Sequence, residues 1–336
     1  MKKLSLFLLC LATTLCLSAQ SPNIHTPSEI VKIMDDSQIS YSLASGNFTP
    51  TDFSQKVLRT SYYRIKNDST YEVKAFEPEG KAKEMFDKAE ELFADYDFTG
   101  ARKAYQDALA IDPSLYVAIT YIGETYLYEK DYTSAVLWFE QAIEANYIDY
   151  LAHWGLAHAC VYTGELKRAL KEITITKILD RNNQNINMMF NSIYKLNKVN
   201  YTDWYLDPLF AISTDYDEDR DKDVVIIKFH EDWLAYALVY AVWKYEPGYA
   251  ESMNNNEMLK EKEALFCTYA SYNKKQLKKN LPIRMFELAI KEGMLDPYII
   301  YDGFLPYNPS VALILDAKDI EAIADYVINV RSKIKK

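Results

Sequence analysis

The sequence predicts a mainly α-helical protein whose middle is a solenoid of stacked helix-turn-helix units. Three segments line up without gaps at a spacing of 34 residues. The columns so formed pair small side chains with bulky ones. Beyond them the chain keeps helical periodicity as far as a last amphipathic stripe, Ile320, Ile323, Ala324, Val327, Ile328 and Ile334. Self-similarity at a fixed period of about 20–50 residues marks repeat architectures, and apolar residues recurring every three to four positions mark helices with one buried face.

Residues 1–19 read as a signal peptide. Lys2 and Lys3 precede an apolar stretch, Leu4 to Leu17, that is too short to span a bilayer and runs into Ser18-Ala19, with cleavage expected after Ala19. Leu9 stands before Cys10 and Leu15 before Cys16, where a lipoprotein signal needs a small residue, so a lipid anchor is not expected. The protein is expected to be exported, and periplasmic in a Gram-negative source. Asp223 to Trp243 is also apolar, but Lys228, His230, Glu231 and Asp232 interrupt it, which suits a buried helix rather than a membrane span.

Loss of Lys2 and Lys3 takes the formal charge from −10 to −12. That balance argues against nucleic acid and anionic membrane surfaces as partners. Of the four cysteines only Cys160 and Cys267 follow the leader. One disulfide is possible in an oxidising compartment, although Cys160 falls in a packing column and reads as a buried thiol. The 28 tyrosines suit core positions that keep a hydroxyl at the edge, or a recognition surface.

Residues 20–80 form an N-terminal region. Thr26-Pro27-Ser28-Glu29 starts a capped helix over Ile30, Ile33 and Met34. Tyr62–Ile65 and Tyr71–Phe76 alternate around Asn67-Asp68-Ser69, as a small hairpin or an extended linker would. Pro78-Glu79-Gly80 breaks the chain before the repeats.

Residues 81–181 hold the three units. Ala89, Gly123 and Ala157 share one column, and Ala101, Ala135 and Ala169 another; small residues there let paired helices approach closely. Tyr105, Phe139 and Ile173 fill the space they leave. Leu92, Tyr126 and Cys160 align, as do Asp97, Asp131 and Glu165, and Phe98, Tyr132 and Leu166. Tyr96-Asp97-Phe98, Lys130-Asp131-Tyr132 and Gly164-Glu165-Leu166 are the turns. Ala108 and Ala142 give a further close approach, and Pro113 helps end a helix.

These columns resemble the tetratricopeptide repeat family over about 100 residues. The second unit carries the pattern at Gly123, Tyr126, Ala135, Phe139 and Ala142; the first at Ala89, Leu92, Ala101, Tyr105, Ala108 and Pro113. The third departs from it, with Thr176 and Arg181 where the family prefers Ala and Pro. The resemblance implies protein binding through a concave groove lined by the first helix of each unit. Groove positions map to Lys83, Phe86, Glu90 and Phe93, to Thr120, Glu124, Leu127 and Tyr128, and to Trp154, His158 and Tyr162. This set is aromatic with two acids, which favours a partner carrying Lys or Arg. The family's carboxylate clamp uses Lys and Asn where this chain has Phe86 and Glu90, so a chaperone-tail receptor is disfavoured. The alternative is that flanking regions fold over the groove and make it core.

Residues 182–336 form a C-terminal region expected to be an irregular helical domain, with helices near 186–198, 222–245, 256–272, 281–292 and 317–334. Asp296-Pro297 through Asn308-Pro309 reads as an ordered, packed loop.

Chemical motifs are sparse. The chain has nine glycines and no phosphate loop, nucleophile elbow or Cys-x-x-Cys. His153 and His158, five apart, face different sides of a helix and do not form a zinc pair. The run Asp215 to Asp223 places carboxylates at alternate positions like a calcium loop, but has Arg220 at the sixth position and Ile226 at the twelfth. It is expected to be a solvated loop capping the next helix. No cofactor or metal is expected. The expected role is therefore a non-catalytic scaffold or adaptor of the cell envelope. The alternatives are an enzyme around His230, Glu231 and Asp232 with 296–309 as a lid, and a glycan or small-molecule binder using the C-terminal half.

Overall fold

The computed structural model describes residues 24–58, 60–67, 70–218 and 222–334. The expected leader, residues 1–19, and Asp68, Ser69, Asp219, Arg220 and Asp221 lie outside the described residues. The chain is mostly helical, with 64% helix and 10% strand. In chain order come α1 (Pro27–Asp36), β1 (Ser40–Ser45), β2 (Tyr62–Asn67) and β3 (Thr70–Ala75). Six helices of similar length follow: α2 (Gly80–Ala94), α3 (Phe98–Ile111), α4 (Tyr116–Tyr128), α5 (Tyr132–Ala145), α6 (Tyr150–Thr163) and α7 (Leu166–Leu179). Then come α8 (Asn187–Leu196), β4 (Phe210–Asp217), β5 (Lys222–Phe229), α9 (Leu234–Tyr245), α10 (Tyr249–Ser252) and α11 (Glu257–Ser271). The last are α12 (Lys274–Lys279), α13 (Leu281–Lys291), α14 (Leu295–Tyr298), α15 (Leu305–Tyr307) and α16 (Ala317–Asp325), with π-helical turns at Ile299–Phe304 and Tyr326–Val330. Among the described residues no helix is long and apolar enough to cross a membrane.

Two compact units share this chain, and each is assembled from separated stretches. The sheet unit comprises the described residues of Met1–Thr51 together with Tyr205–Ile299; the array unit comprises those of Asp52–Trp204 and Ile300–Lys336.

In the array unit each helix from α2 to α7 packs on the next, and α4 also packs on α6. The sequence period is written into the backbone. Tyr96, Lys130 and Gly164 occupy the same place in successive turns and all have positive φ, at 65°, 64° and 86°. Asp97 then caps α3 through Gly100 N–H at 2.9 Å, and Asp131 caps α5 through Ser134 N–H at 3.1 Å, each satisfying an orphan donor of the first turn. Glu165 makes no such bond to α7. The small-residue columns are buried. A Cβ on Gly123 would stand 2.9 Å from the Phe139 ring, and one on Gly155 only 2.2 Å, so Phe139 of α5 is wedged against both α4 and α6.

The hairpin expected near 60–76 forms, with Tyr62 opposite Ala75. Its carbonyl at Tyr62 accepts from Asn146 Nδ2 at 2.9 Å, and Tyr63 packs edge-on against Tyr116. Helix α7 also forms in full despite the departures at Thr176 and Arg181. Thr176 bonds back to the Glu172 carbonyl at 2.9 Å. Arg181, fully buried, donates to Asp203 at 3.1 Å and to the Trp204 carbonyl at 3.2 Å, and lies over the Tyr301 ring. Arg331 joins it: its Nε reaches Asp302 at 3.0 Å and its guanidinium covers Trp204 and Tyr201. Tyr326 donates to the same Asp302 carboxylate at 2.6 Å.

The sheet unit departs from the expected helical domain. β5 is the central strand of three. β1 runs parallel to it, Ser40 opposite Val224, and β4 antiparallel, Phe210 opposite Phe229. The helix expected over 222–245 is therefore a strand, Lys222–Phe229, followed by the helix α9. The run Val224-Val225-Ile226-Ile227 explains the outcome: β-branched side chains pack well on a pleated surface, and a short apolar run has no periodicity to separate strand from helix. The acidic run is likewise no helix cap, since Asp215 and Asp217 lie within β4 and Asp223 within β5. α9 covers the sheet and packs on α1 and α11. α1 begins with the expected capping box between Thr26 and Glu29. Cys160, in the array unit, and Cys267, in the sheet unit, are both free and buried.

Candidate functional site

The first helices of the three units present one face each, built by i, i+4 spacing. Phe86 and Glu90 lie on α2, Thr120, Glu124 and Tyr128 on α4, and Trp154, His158 and Tyr162 on α6. Three of the mapped groove residues belong to the core. Phe86 is buried beneath Phe76, with ring centroids 5.4 Å apart, and against Tyr105 at 5.5 Å and Tyr121 at 5.8 Å. Thr120 is fully buried and donates to Asp149 at 2.6 Å, and Leu127 is buried between helices. The chain leaving β3 thus covers the α2 end of the face, the covering that was the alternative reading of the groove. Lys83 is exposed and paired with Asp87 on its own helix.

The remaining positions form an open surface with two parts. One part is aromatic. Tyr128 and Tyr162, at the ends of α4 and α6, are 59% and 58% exposed. Tyr128 stacks on Phe98 at 5.8 Å and meets half-buried Phe93 edge-on at 5.2 Å. One unit later, Tyr162 stacks on Tyr132 at 4.3 Å with rings 4° from parallel. The same pair recurs 34 residues on, so the repeat carries its surface as well as its core. Trp154 and His158 continue the row along α6, with centroids 5.6 Å apart. His158 Nδ1 is buried without a hydrogen-bonding partner, and burial holds the ring below its usual pKa, hence neutral.

The other part is acidic. Glu90 is exposed and accepts from the buried Tyr105 hydroxyl. Glu124 is half-buried, and burial, then repulsion from Asp149 and Glu90, pushes its carboxyl up to about 7. Asp149 is buried and capped onto Leu151 N–H at 3.0 Å; burial raises its pKa as well, against the pull of Thr120. None of these three acids forms an ion pair with a Lys or Arg among the described residues. Sequence reasoning missed Asp149, whose place just before α6 reads as a helix cap and nothing more. The cap geometry is real, but the carboxylate also faces the Glu124 side chain.

The three residues of the enzyme alternative, His230, Glu231 and Asp232, lie directly before α9. His230 and Glu231 are exposed, and His230 Nδ1 merely accepts from Asp232 N–H at 3.5 Å in a short helical turn. Glu231 and Asp232 stand at the mouth of an apolar cavity of about 180 Å³ with Ile30, Leu238 and Cys267; His230 does not line it. The stretch 296–309 is helical rather than a loop. In the same unit Glu261 and Glu263 of α11 are buried, an arrangement no sequence pattern announced. Tyr236 and Tyr240 donate to Glu261 at 2.6 and 2.7 Å; Trp243 Nε1 donates to Glu263 at 2.6 Å. These donors satisfy the carboxylates as structural groups.

His153 and His158 do face different sides of α6. The former is buried, with Nδ1 2.6 Å from Glu172 and Nε2 3.0 Å from the Tyr147 carbonyl. No protein-family model matches the chain, and no curated protein matches it either.

Proposed function

We propose that the chain is an exported, non-catalytic scaffold or adaptor of the cell envelope, whose array unit is a tetratricopeptide solenoid holding a peptide or protein segment across α4 and α6. The observation that carries this reading is the composition of the open face: repeated, exposed aromatic pairs beside acids that have no cation. Rings of this kind supply contact area at low entropy cost. Acids left unpaired at a half-buried position are costly in the free protein and gain from a ligand that brings a Lys or Arg. The pairwise packing of α2 to α7, the shared left-handed turn residues and the 34-residue columns support the solenoid. The positive start and apolar run before Ala19 support export.

The test is affinity capture from an envelope extract on the mature protein, beside a Glu124→Lys/Tyr128→Ala/Trp154→Ala/Tyr162→Ala variant whose circular dichroism matches. A protein retained by the first and lost with the second is the expected result. Identical captures on both baits would overturn the groove as the binding site.

A further inference from the structure

The sheet unit holds an open cavity of about 450 Å³, lined by the first residues of β4 and one face of α9. Ala250 of α10 and the turn into α11 complete the lining, so every residue of it belongs to one unit. Its size falls in the range of small-molecule sites, about 300–1,000 Å³. The walls are carbon. Tyr240 and Trp243 line the cavity, but their polar atoms are engaged elsewhere: the Tyr240 hydroxyl donates to Glu261 at 2.7 Å, and Trp243 Nε1 to Glu263 at 2.6 Å. Phe210 stands edge-on to Tyr240, with centroids 5.2 Å apart, and Ile212, two residues on, shares its face of the sheet. What these groups offer a guest is ring and alkyl surface.

The rim is polar, with two cations. Lys244 follows Tyr240 by one turn of α9 and so lies on the same side of the helix. It is exposed and has no carboxylate partner among the described residues. Lys260 lies over the Tyr240 ring, 4.9 Å from its centre, and is held by the exposed Glu257 at 2.5 Å. Asn255 also lines the cavity. Its φ is 50°, directly after Asn254 at 58°. Two successive non-glycine residues in the left-handed region cost energy even for asparagine. The Asn255 side-chain amide makes no hydrogen bond among the described residues. A strained turn thus sets an unused amide at the same rim as an unpaired ammonium.

We propose that this cavity binds a small aromatic carboxylate. The ring packs against Phe210, Tyr240 and Trp243, and the carboxylate sits at the rim between Lys244 and Lys260, accepting from the Asn255 amide. Aromatic walls favour a ring over an alkyl chain, because edge-on and offset contacts add to the burial of area. The ammonium groups, one unpaired and one shared, select a negative head. Glu257 works against the ligand, since it competes for Lys260. The site is independent of the array face and of whatever that face holds.

Isothermal titration calorimetry of the mature protein with indole-3-acetate tests the assignment, beside the neutral indole-3-acetamide and beside acetate. The expected result is saturable binding of indole-3-acetate with a Kd below about 1 mM. The amide binds at least about tenfold more weakly, and acetate gives no signal because it has no ring to bury. Lys244→Glu weakens binding at least about fivefold. Ala250→Phe fills the cavity and abolishes it. Glu257→Gln tightens it about threefold by releasing Lys260, a gain that loss of structure cannot imitate. Circular dichroism establishes that each variant is folded. No saturable binding of indole-3-acetate up to about 10 mM overturns the proposal. So does equal affinity for acid and amide, binding indifferent to Lys244→Glu and Ala250→Phe, or affinity that fails to rise with Glu257→Gln.

Discussion

Two sites in the array unit bury charge, and they do so in opposite ways. Around Arg181 and Arg331 the cations are matched by Asp302 and Asp203, backed by the Trp204 carbonyl, and covered by Tyr201 and Tyr301. Around Glu124 the neighbours are Asp149 and Glu90, and the charge is all of one sign. A buried charge that finds its partners within the chain belongs to the structure of that chain. A partly buried charge without one carries an uncompensated cost, which the proposed partner would relieve. The difference separates a structural knot from the face proposed to hold a partner, although both are rich in tyrosine and carboxylate.

The largest effect should come from breaking the matched site. Asp302→Ala leaves two buried guanidinium groups short of a counter-charge, and should cost about 3–5 kcal/mol in urea unfolding of the whole chain. A smaller value would mean that water reaches the cluster.

The unmatched site should respond in the reverse sense. Glu124 has a folded-state pKa of about 7 against a usual 4.5. Its contribution to stability is thus fully present below pH 4.5 and is lost as the pH rises through 7. Glu124→Gln should therefore stabilise the protein by about 1–3 kcal/mol at pH 8 and leave it unchanged at pH 4, as thermal unfolding at the two values would reveal. Equal effects at both would remove Glu124 from the comparison.

The smallest effect on stability is expected at Tyr162. Its replacement by Ala exposes no core and should change unfolding by no more than about 0.5 kcal/mol, while reducing retention of the partner in the capture experiment. A large loss of stability would return this ring to the structural class.

The legibility of the two units differs for a related reason. The array was readable because each contact there is local and recurs: Ala101 implies Ala135, and Phe98 on Tyr128 implies Tyr132 on Tyr162. The turns followed from spacing, and the hairpin near 60–76 was one of two readings that alternation allowed. The groove was half readable. The register of the resemblance mapped Glu90, Glu124, Tyr128 and Tyr162 to one face, but that Phe76 lies over Phe86 depends on where a segment outside the repeat comes to rest. In the sheet unit the decisive contacts are distant. Ser40 pairs with Val224 and His25 with Glu263, and neither residue carries a periodic signal. A strand such as Lys222–Phe229, placed between polar residues and running straight toward a helix, reads as part of that helix until its partners are known.

The parallel pairing of β1 with β5 also sets a clock. About 180 residues separate Ser40 from Val224, and at a synthesis rate of about 5–20 residues per second β1 waits roughly 10–40 s for the strand that completes it. The helices of the array, whose partners arrive within a few tens of residues, face no such delay. A nascent chain of this protein would carry its first strand unpaired through most of its own production, and that strand is where a chaperone holding the unfinished molecule has most to protect.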